Sequence, residues 1–217
     1  MDILAAKLLY FFVLAVSLTI HEASHAWAAL RLGDDTAARM GRLSLNPLAH
    51  LDPLGTLMIL SNMPLGWAKP VPVNPLNLRN VRTAMPLVSF AGPLSNLVLG
   101  LAGCMVYFVV RYHLGDSSWF DMLFYFIRIN FSLAVFNLLP IYPLDGSSIV
   151  TVFMSDKVAR RYEETVAQMH IFPLILLLAF QYMSPASGPL TLWYRIWNPL
   201  LNPILALFSV PPSFLWN

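Results

Sequence analysis

Two histidines and a glutamate stand at a zinc-binding spacing in this chain, in the run His21-Glu22-Ala23-Ser24-His25. On a helix, residues i and i+4 lie on one face, so the two imidazoles can bind one zinc ion, and the intervening glutamate is placed to act as a general base. The pattern therefore predicts metal-dependent hydrolysis, with His21 and His25 as zinc ligands and Glu22 as the catalytic base.

The residues before this motif are unusual for a water-soluble metalloenzyme. From Ile3 to Ile20 the chain is almost entirely apolar, and only Lys7, Ser17 and Thr19 interrupt the run. The motif is therefore expected to lie inside a membrane-spanning helix. Ionisable groups at membrane depth are costly, so their presence there indicates a functional site.

Composition supports an integral membrane protein. The 217 residues are 58% hydrophobic and 11% charged, with a mean hydropathy of +0.65, whereas about 25% of the residues in a soluble domain are charged. The net charge of +2 is too small to indicate a nucleic-acid partner. The single cysteine, Cys104, excludes an internal disulfide and a multi-thiolate zinc site. We expect one domain, residues 1–217, in contact with the lipid bilayer.

The apolar segments predict an all-α polytopic membrane protein, because a span needs about 20 apolar residues. We expect a three-helix catalytic core within residues 3–155, followed by one or two further spans within residues 166–210. The predicted segments are Ile3–Leu32, Met85–Val110, Arg128–Ser155 and Val166–Met183, with Leu190–Val210 as a fifth span, a re-entrant piece or an interfacial helix.

The stretch from Gly33 to Thr83, between the first two spans, has a different character. It is rich in Pro, Asn and Gly, a composition that disfavours helices. We expect a small β or extended membrane-associated element here, with extended pieces near Arg39–Leu45 and Leu65–Val73. A separate interfacial helix is expected at Trp119–Ile127, since adding it to the third span would make that span too long.

A catalytic zinc needs a third protein ligand, and Asp145 is the strongest candidate. It lies in the third apolar segment, where Pro140, Pro143 and Gly146 interrupt the helix. Non-helical backbone at membrane depth is tolerated where protein or a wet cavity lines it, so this acid can point inward. Asp145, His21 and Asn96 each lie ten to fourteen residues from a flanking basic residue, roughly 15–20 Å inside the same membrane face.

Basic residues orient the spans, since cytoplasmic loops carry an excess of Lys and Arg. Nine basic residues lie in the loops between the first and second and the third and fourth segments, against three on the opposite side. We expect an external amino terminus and an active site nearer the cytosolic face. The nine are Arg31, Arg39, Arg42, Lys69, Arg79, Arg82, Lys157, Arg160 and Arg161, and the three are Lys7, Arg111 and Arg128.

Three motifs together resemble those of the site-2 protease family of intramembrane zinc metalloproteases. They are HEASH on the first span, AGPLSN on the second and NLLPIYPLDG on the third, with RLSLNPLAHLDPLGT and GWAKPVPVNPLN between them. The resemblance covers about Ile3 to Thr151 and is strongest to small bacterial and archaeal members without an added soluble domain. One departure is Gly146-Ser147-Ser148, where the family commonly has a GGR-like sequence.

The resemblance implies a role for seven residues. One zinc ion per chain would be held by His21, His25 and Asp145, with Glu22 as the base. Substrate contacts would come from Asn137, Pro140 and Asn96.

Plainer interpretations of several polar residues stay open. Asn137 and Asn96 could simply form hydrogen bonds between helices, as polar residues in membrane proteins often do. Asp145 could serve as a turn or helix-capping residue. His50 and Asp52, in a proline-rich loop, are either local turn residues or a second site.

The function expected from these observations is hydrolysis of peptide bonds in or near transmembrane segments of other membrane proteins, in the cell (inner) membrane of a prokaryote. A catalytically inactive binding protein of the same fold is an alternative, and so is a membrane metal transporter. Transport would not need a glutamate beside the first histidine and would place acids along a path across the bilayer. The oligomeric state is left open.

Overall fold

Long helices dominate the computed structural model, which describes residues 3–61, 68–114, 119–184 and 188–211. Most of the longer helices form where the sequence is apolar, which confirms the all-α fold. The helices are α1 (Ile3–Arg31), α2 (Thr36–Arg39), α3 (Pro53–Leu60), α4 (Val81–Leu114), α5 (Trp119–Asn137), α6 (Gly146–Ile149), α7 (Asp156–Met169), α8 (Phe172–Met183) and α9 (Pro189–Leu207).

Two of the described helices are long and apolar enough to cross a membrane, over Ala5–Arg31 of α1 and Val81–His113 of α4. Helices α7 and α8 would add a third span if the pair, bent by 70°, crosses as one unit. The predicted fourth segment is therefore a broken one, in which the polar helix α7 precedes the apolar helix α8. The predicted fifth segment is the 19-residue helix α9, which continues through Pro199 and Pro203.

The third segment begins earlier than expected. A separate interfacial helix at Trp119–Ile127 is not observed, because α5 runs without interruption from Trp119 to Asn137. The shorter apolar helix Met122–Asn137 lies within it. Helix α5 ends three residues before Pro140, as the proline residues predicted.

The region between α1 and α4 contains more helix than its composition suggested. Helices α2 and α3 occupy Thr36–Arg39 and Pro53–Leu60, and proline is tolerated in α3 because it stands at the first helical position. No strand forms within the described residues, where Leu51 and Ala68 make an isolated antiparallel bridge. The expected extended piece near Arg39–Leu45 is a turn followed by irregular backbone. Of the piece at Leu65–Val73, residues 65–67 lie outside the described residues, and residues 69–73 are irregular.

One face of α4 is apolar and uncovered. Leu87, Phe90, Leu94, Val98 and Leu101 follow each other at intervals of three or four residues and are all at least 36% exposed. Residues at this spacing form a continuous stripe along a helix. A water-soluble protein rarely exposes so large an apolar patch, so the stripe is suited to lipid.

The opposite side of α4 packs against α1 and α5. Gly100 and Gly103 allow α5 to approach, since a Cβ on Gly103 would lie 2.9 Å from Ile127 and Phe126. A buried apolar cluster between α4, α5 and α9 includes Tyr107 and Phe131. Helices α1, α4 and α5 pack together in this way around the polar site described next.

Candidate metal centre

Helix α1 presents two imidazoles on its buried face. His21 and His25 are 4% and 8% exposed, and one helical turn brings their Nε2 atoms to 3.0 Å from each other. Their rings stand nearly perpendicular, with an interplanar angle of 83°. The predicted pairing of the two side chains on one face is therefore present.

Asp145 reaches the same point from the other side of the fold. After α5 ends, the chain turns back so closely that a Cβ on Gly146 would overlap the carbonyl groups of Leu138 and Leu139. The turn brings the Asp145 carboxylate to the imidazoles, with Oδ2 at 3.2 Å from His21 Nε2 and Oδ1 at 3.4 Å from His25 Nε2. Among the described residues, these three form the group of His, Cys, Asp and Glu side chains that could hold a metal ion.

Hydrogen bonds determine which nitrogen of each imidazole carries the proton. His21 Nδ1 lies 2.6 Å from Asn96 Oδ1, and His25 Nδ1 lies 2.7 Å from the carbonyl oxygen of Val88. Both partners are acceptors only, so each Nδ1 donates, and the neutral imidazole then has a lone pair on Nε2. Two nitrogen lone pairs and a carboxylate consequently face one another.

This arrangement fits a zinc ion. Tetrahedral coordination with Zn–N distances of about 2.0–2.1 Å places two ligand atoms about 3.3 Å apart, and the three observed separations are 3.0, 3.2 and 3.4 Å. Lone pairs this close repel each other unless a cation lies between them. Gly92 of α4 leaves the room needed, since a Cβ there would overlap the imidazoles of both His21 and His25.

Asn96 orients the His21 imidazole through the hydrogen bond at Nδ1. It is fully buried at 0% exposure, and its Nδ2 donates to Asn130 Oδ1 at 2.9 Å. Asn130 in turn donates to the Ser17 hydroxyl at 3.0 Å, so the chain of bonds joins α1, α4 and α5. This is the interhelical hydrogen bonding that the sequence left open as the alternative for Asn96. A fully buried amide offers a substrate no surface in this conformation, and the substrate contact stays a prediction.

Glu22 follows the candidate ligand His21 on α1 and is half-buried. Its Oε2 accepts a hydrogen bond of 3.1 Å from the backbone N–H of Val71, in the irregular segment before α4. Glu22 is thus adjacent in sequence to the candidate ligand His21, and its carboxylate is tied to a distant part of the chain.

Asn137 and Pro140 lie at the end of α5, on the turn that leads to Asp145. Asn137 is half-buried, and its Nδ2 donates to the Leu133 carbonyl at 3.0 Å. Pro140 is exposed, and its carbonyl accepts a hydrogen bond from the Tyr162 hydroxyl at 3.2 Å. Both are close in sequence to the candidate ligand, and their expected substrate contacts stay predictions.

His50 and Asp52 have local contacts, as expected of turn residues. His50 is 1% exposed and its Nε2 lies 2.8 Å from the Ser44 carbonyl. Asp52 accepts a hydrogen bond from the N–H of Gly55 at 2.9 Å, at the start of α3. Neither belongs to the group that could hold a metal among the described residues.

Four contributors to the site escaped the sequence analysis. The Val88 carbonyl and the Val71 N–H are backbone groups, for which side-chain patterns contain no signal. Gly92 stands within AGPLSN, but only the position of α1 reveals why a side chain is excluded. Asn130, a polar residue in an apolar run, could have been noted as a candidate partner.

Comparison with known proteins finds one matching family model and several similar proteins. The family model described as peptidase family M50 matches residues 112–178, a region that includes Asp145. The Bacillus subtilis (strain 168) protein named "Putative zinc metalloprotease YwhC" is 40% identical over 206 residues, covering 90% of this chain and 89% of that protein.

Two mycobacterial proteins are more distant. "Putative zinc metalloprotease Rip2" of Mycobacterium tuberculosis (strain ATCC 35801 / TMC 107 / Erdman) is 29% identical, covering 76% of this chain and 64% of that protein. The protein of the same name from Mycolicibacterium smegmatis is 26% identical, covering 84% and 79%. No solved structure matches this chain.

Proposed function

This chain belongs to peptidase family M50, that of the site-2 proteases, and we propose that it hydrolyses peptide bonds in or near transmembrane segments of other membrane proteins. One observation carries the proposal. His21 and His25 lie on a helix apolar enough to cross a membrane, and the Asp145 carboxylate meets them with separations of 3.0–3.4 Å among the three groups. Glu22 directly follows His21 in the sequence, which is where the zinc metalloprotease motif has its general base.

In this proposal one zinc ion per chain is held by His21 Nε2, His25 Nε2 and an oxygen of Asp145. When bound, zinc supplies a Lewis acid that polarises the scissile carbonyl and acidifies water. Asn96 and the Val88 carbonyl keep the Nδ1 protons in place, so that both imidazoles offer Nε2 as a ligand. Such supporting hydrogen bonds orient metal ligands and raise their basicity.

Glu22 acts as the general base. Its carboxylate accepts a proton from the attacking water and passes it to the nitrogen of the leaving amine. The carboxylate is half-buried, which limits exchange of that proton with bulk water. Replacement by glutamine removes the proton acceptor and keeps the shape of the side chain.

The substrate class follows from the setting of the site. A transmembrane helix hides its amides in its own hydrogen bonds, so the substrate must unwind before hydrolysis. The segment before α4 would pair with the unwound strand in the manner of β-strand addition. Asn137 and Pro140, on the turn before Asp145, would contact the substrate near the scissile bond.

The location of the enzyme is part of the proposal. The excess of basic residues between α1 and α4 and on α7 favours a cytosolic position for these parts of the chain, in the membrane of a prokaryotic cell. Water would then enter from the cytosolic face, the nearer one to the site. The whole of residues 1–217 would act as one catalytic domain.

Cleavage by the purified chain in liposomes tests the proposal. A panel of single-span membrane proteins with helix-weakening residues in the span is added, and products are mapped by mass spectrometry. We expect cuts in or next to the span, which a zinc chelator abolishes and added zinc restores. Glu22→Gln should abolish cleavage and retain zinc, whereas Glu163→Gln, on the exposed face of α7, should retain both cleavage and zinc.

Two results would contradict this function. Cleavage by the Glu22→Gln protein at the wild-type rate would exclude Glu22 as the base. Failure of the wild type to cut any member of the panel, together with zinc accumulation inside the liposomes, would identify a transporter instead.

A further inference from the structure

A short segment rich in proline passes beside Glu22, residues 69–74, which we call the strap. Pro70 and Pro72 have no N–H group, so between residues 69 and 73 only Lys69, Val71 and Val73 can donate from the backbone. The Lys69 N–H goes to the His50 carbonyl at 2.7 Å. The Val71 N–H goes to Glu22 Oε2 at 3.1 Å, and this bond joins the strap to the proposed base.

Arg42 fixes one end of the strap. It is only 5% exposed, and its guanidinium donates to the carbonyl groups of Ala49, Lys69 and Pro70. Within the described residues Arg42 makes no ion pair with a carboxylate. A buried cation is costly, and this one is compensated by backbone carbonyls, two of which belong to the strap.

Asp34 fixes the other end. It is fully buried, and its carboxylate accepts hydrogen bonds from the Asn74 N–H at 2.7 Å and from Asn77 Nδ2 at 2.9 Å. Burial opposes ionisation, but hydrogen bonds from Thr36, Asn77 and Asn74 hold the pKa of Asp34 below its usual value. The carboxylate therefore stays charged, and the strap is held at its two ends by buried groups of opposite charge.

We propose that Arg42 is a positioning residue for hydrolysis, which sets the orientation of Glu22 through the Val71 N–H. A carboxylate has two oxygens, and a glutamate side chain has several rotatable bonds. Fixing Oε2 on the strap leaves Oε1 to accept the proton in one orientation. The proposal rests on the proposed role of Glu22, since Arg42 itself contacts neither the candidate ligands nor Glu22.

Hydrogen exchange tests the contact without reference to proteolysis. A peptide spanning residues 69–73 reports few amides, because two of its five residues are proline. In the zinc-loaded protein we expect the Val71 amide to exchange at least about tenfold more slowly than in Glu22→Ala, where its acceptor is lost. Arg42→Gln should lose the same protection. Arg39→Gln, an exposed arginine paired with Asp35, should retain it.

Kinetic measurements test whether the hydrogen bond between the Val71 N–H and Glu22 affects catalysis. Val71→Ala keeps the N–H and Val71→Pro removes it, so the ratio of their kcat values isolates the hydrogen bond. We expect kcat to be about tenfold or more lower for Val71→Pro, with KM changed less than threefold. This loss stays below the ~10²–10⁴-fold contribution of a general base. Arg42→Gln should show the same split, and Arg39→Gln should match the wild type.

The double variant Arg42→Gln, Val71→Pro tests whether Arg42 affects kcat only through the Val71 N–H or also independently of it. If Arg42 acts through the Val71 N–H, the kcat of the double variant equals that of Val71→Pro within about threefold, whereas independent effects would multiply. Zinc content must stay at the wild-type level in each variant. If Arg42→Gln does not fold, the Val71→Pro and Val71→Ala pair still tests the hydrogen bond through which Arg42 would act, and an unchanged kcat in Val71→Pro still overturns the proposal.

Three results would overturn the proposal. They are a Val71 amide that exchanges as fast in the wild type as in Glu22→Ala, a Val71→Pro protein with unchanged kcat, and an effect confined to KM. The last would assign the strap to substrate binding alone. Normal protection of Val71 in a protein that cleaves no substrate would instead count against the proposed function.

Discussion

Gly92→Ala tests the candidate metal centre by changing α4, a helix that carries none of the candidate ligands. Gly92 lies on α4 against the imidazoles of α1, and a Cβ there would stand 2.6 Å from the Cε1 atoms of both His21 and His25. Carbon atoms in contact normally lie about 3.5 Å or more apart. Each ring would therefore have to retreat by at least about 0.9 Å, the difference between 3.5 and 2.6 Å.

That displacement is large for a metal site. Ligand positions in metal sites are usually kept within about 0.2 Å, so both imidazoles would leave coordinating geometry together. We expect zinc affinity to fall at least about 100-fold, which corresponds to about 2.7 kcal/mol. The extra methyl group should also cost about 1–3 kcal/mol of stability, as overpacking usually does.

Gly103→Ala is the matched control. A Cβ on Gly103 would lie 2.9 Å from Ile127 and Phe126, so it also overpacks α4, but eleven residues or about 16 Å farther along the helix. Zinc affinity is measured by competition with a chelator, and stability by thermal unfolding in detergent. Both variants should unfold at lower temperature, and only Gly92→Ala should lose zinc. A Gly92→Ala protein with wild-type zinc affinity would refute the assignment of His21 and His25 as ligands.

Three further outcomes are expected. Asp145→Asn removes the anionic ligand and keeps the shape, so the folded variant should bind zinc at least about tenfold more weakly and lose activity, and normal zinc binding would exclude Asp145 as the third ligand. Asn96→Ala removes the acceptor for His21 Nδ1 and should lower zinc affinity about 10–100-fold, as loss of such supporting partners does; an unchanged affinity would show that this bond does not orient His21. Single cysteines at Arg79 and Arg160, both exposed, in a Cys104→Ala background, should react only with reagent that reaches the cytosol, and labelling from outside intact cells would reverse the orientation.

The positions of the helices could be predicted from the sequence where a continuous stretch of residues carries the signal. The long apolar runs gave α1 and α4 within a few residues, because a span requires a continuous apolar stretch. The boundaries of α5 were harder, since the apolar run before Arg128 carries no residue that ends a helix. The sequence also missed α3, where proline stands at a helix start, and the break between α7 and α8.

Most of the residues that define the chemistry of the site are likewise close together in the sequence. His21, Glu22 and His25 lie within five residues of one another, and helical periodicity alone puts the two imidazoles on one face. Asp145 was identifiable because it is an isolated acid in an apolar segment broken by proline. The structure places its carboxylate 3.2 and 3.4 Å from the Nε2 atoms of His21 and His25, and its role as a zinc ligand stays a prediction.

The sequence by itself thus determined which groups can bind a metal, because residue type and short spacing fix that chemistry. The tertiary structure decided how those groups are held. Asn96 supports His21 across 75 residues and Val71 contacts Glu22 across 49, distances over which no helical period relates two side chains. Such contacts depend on how α1, α4 and the strap pack, and backbone donors such as the Val71 N–H are common to most residues, so the sequence does not mark them.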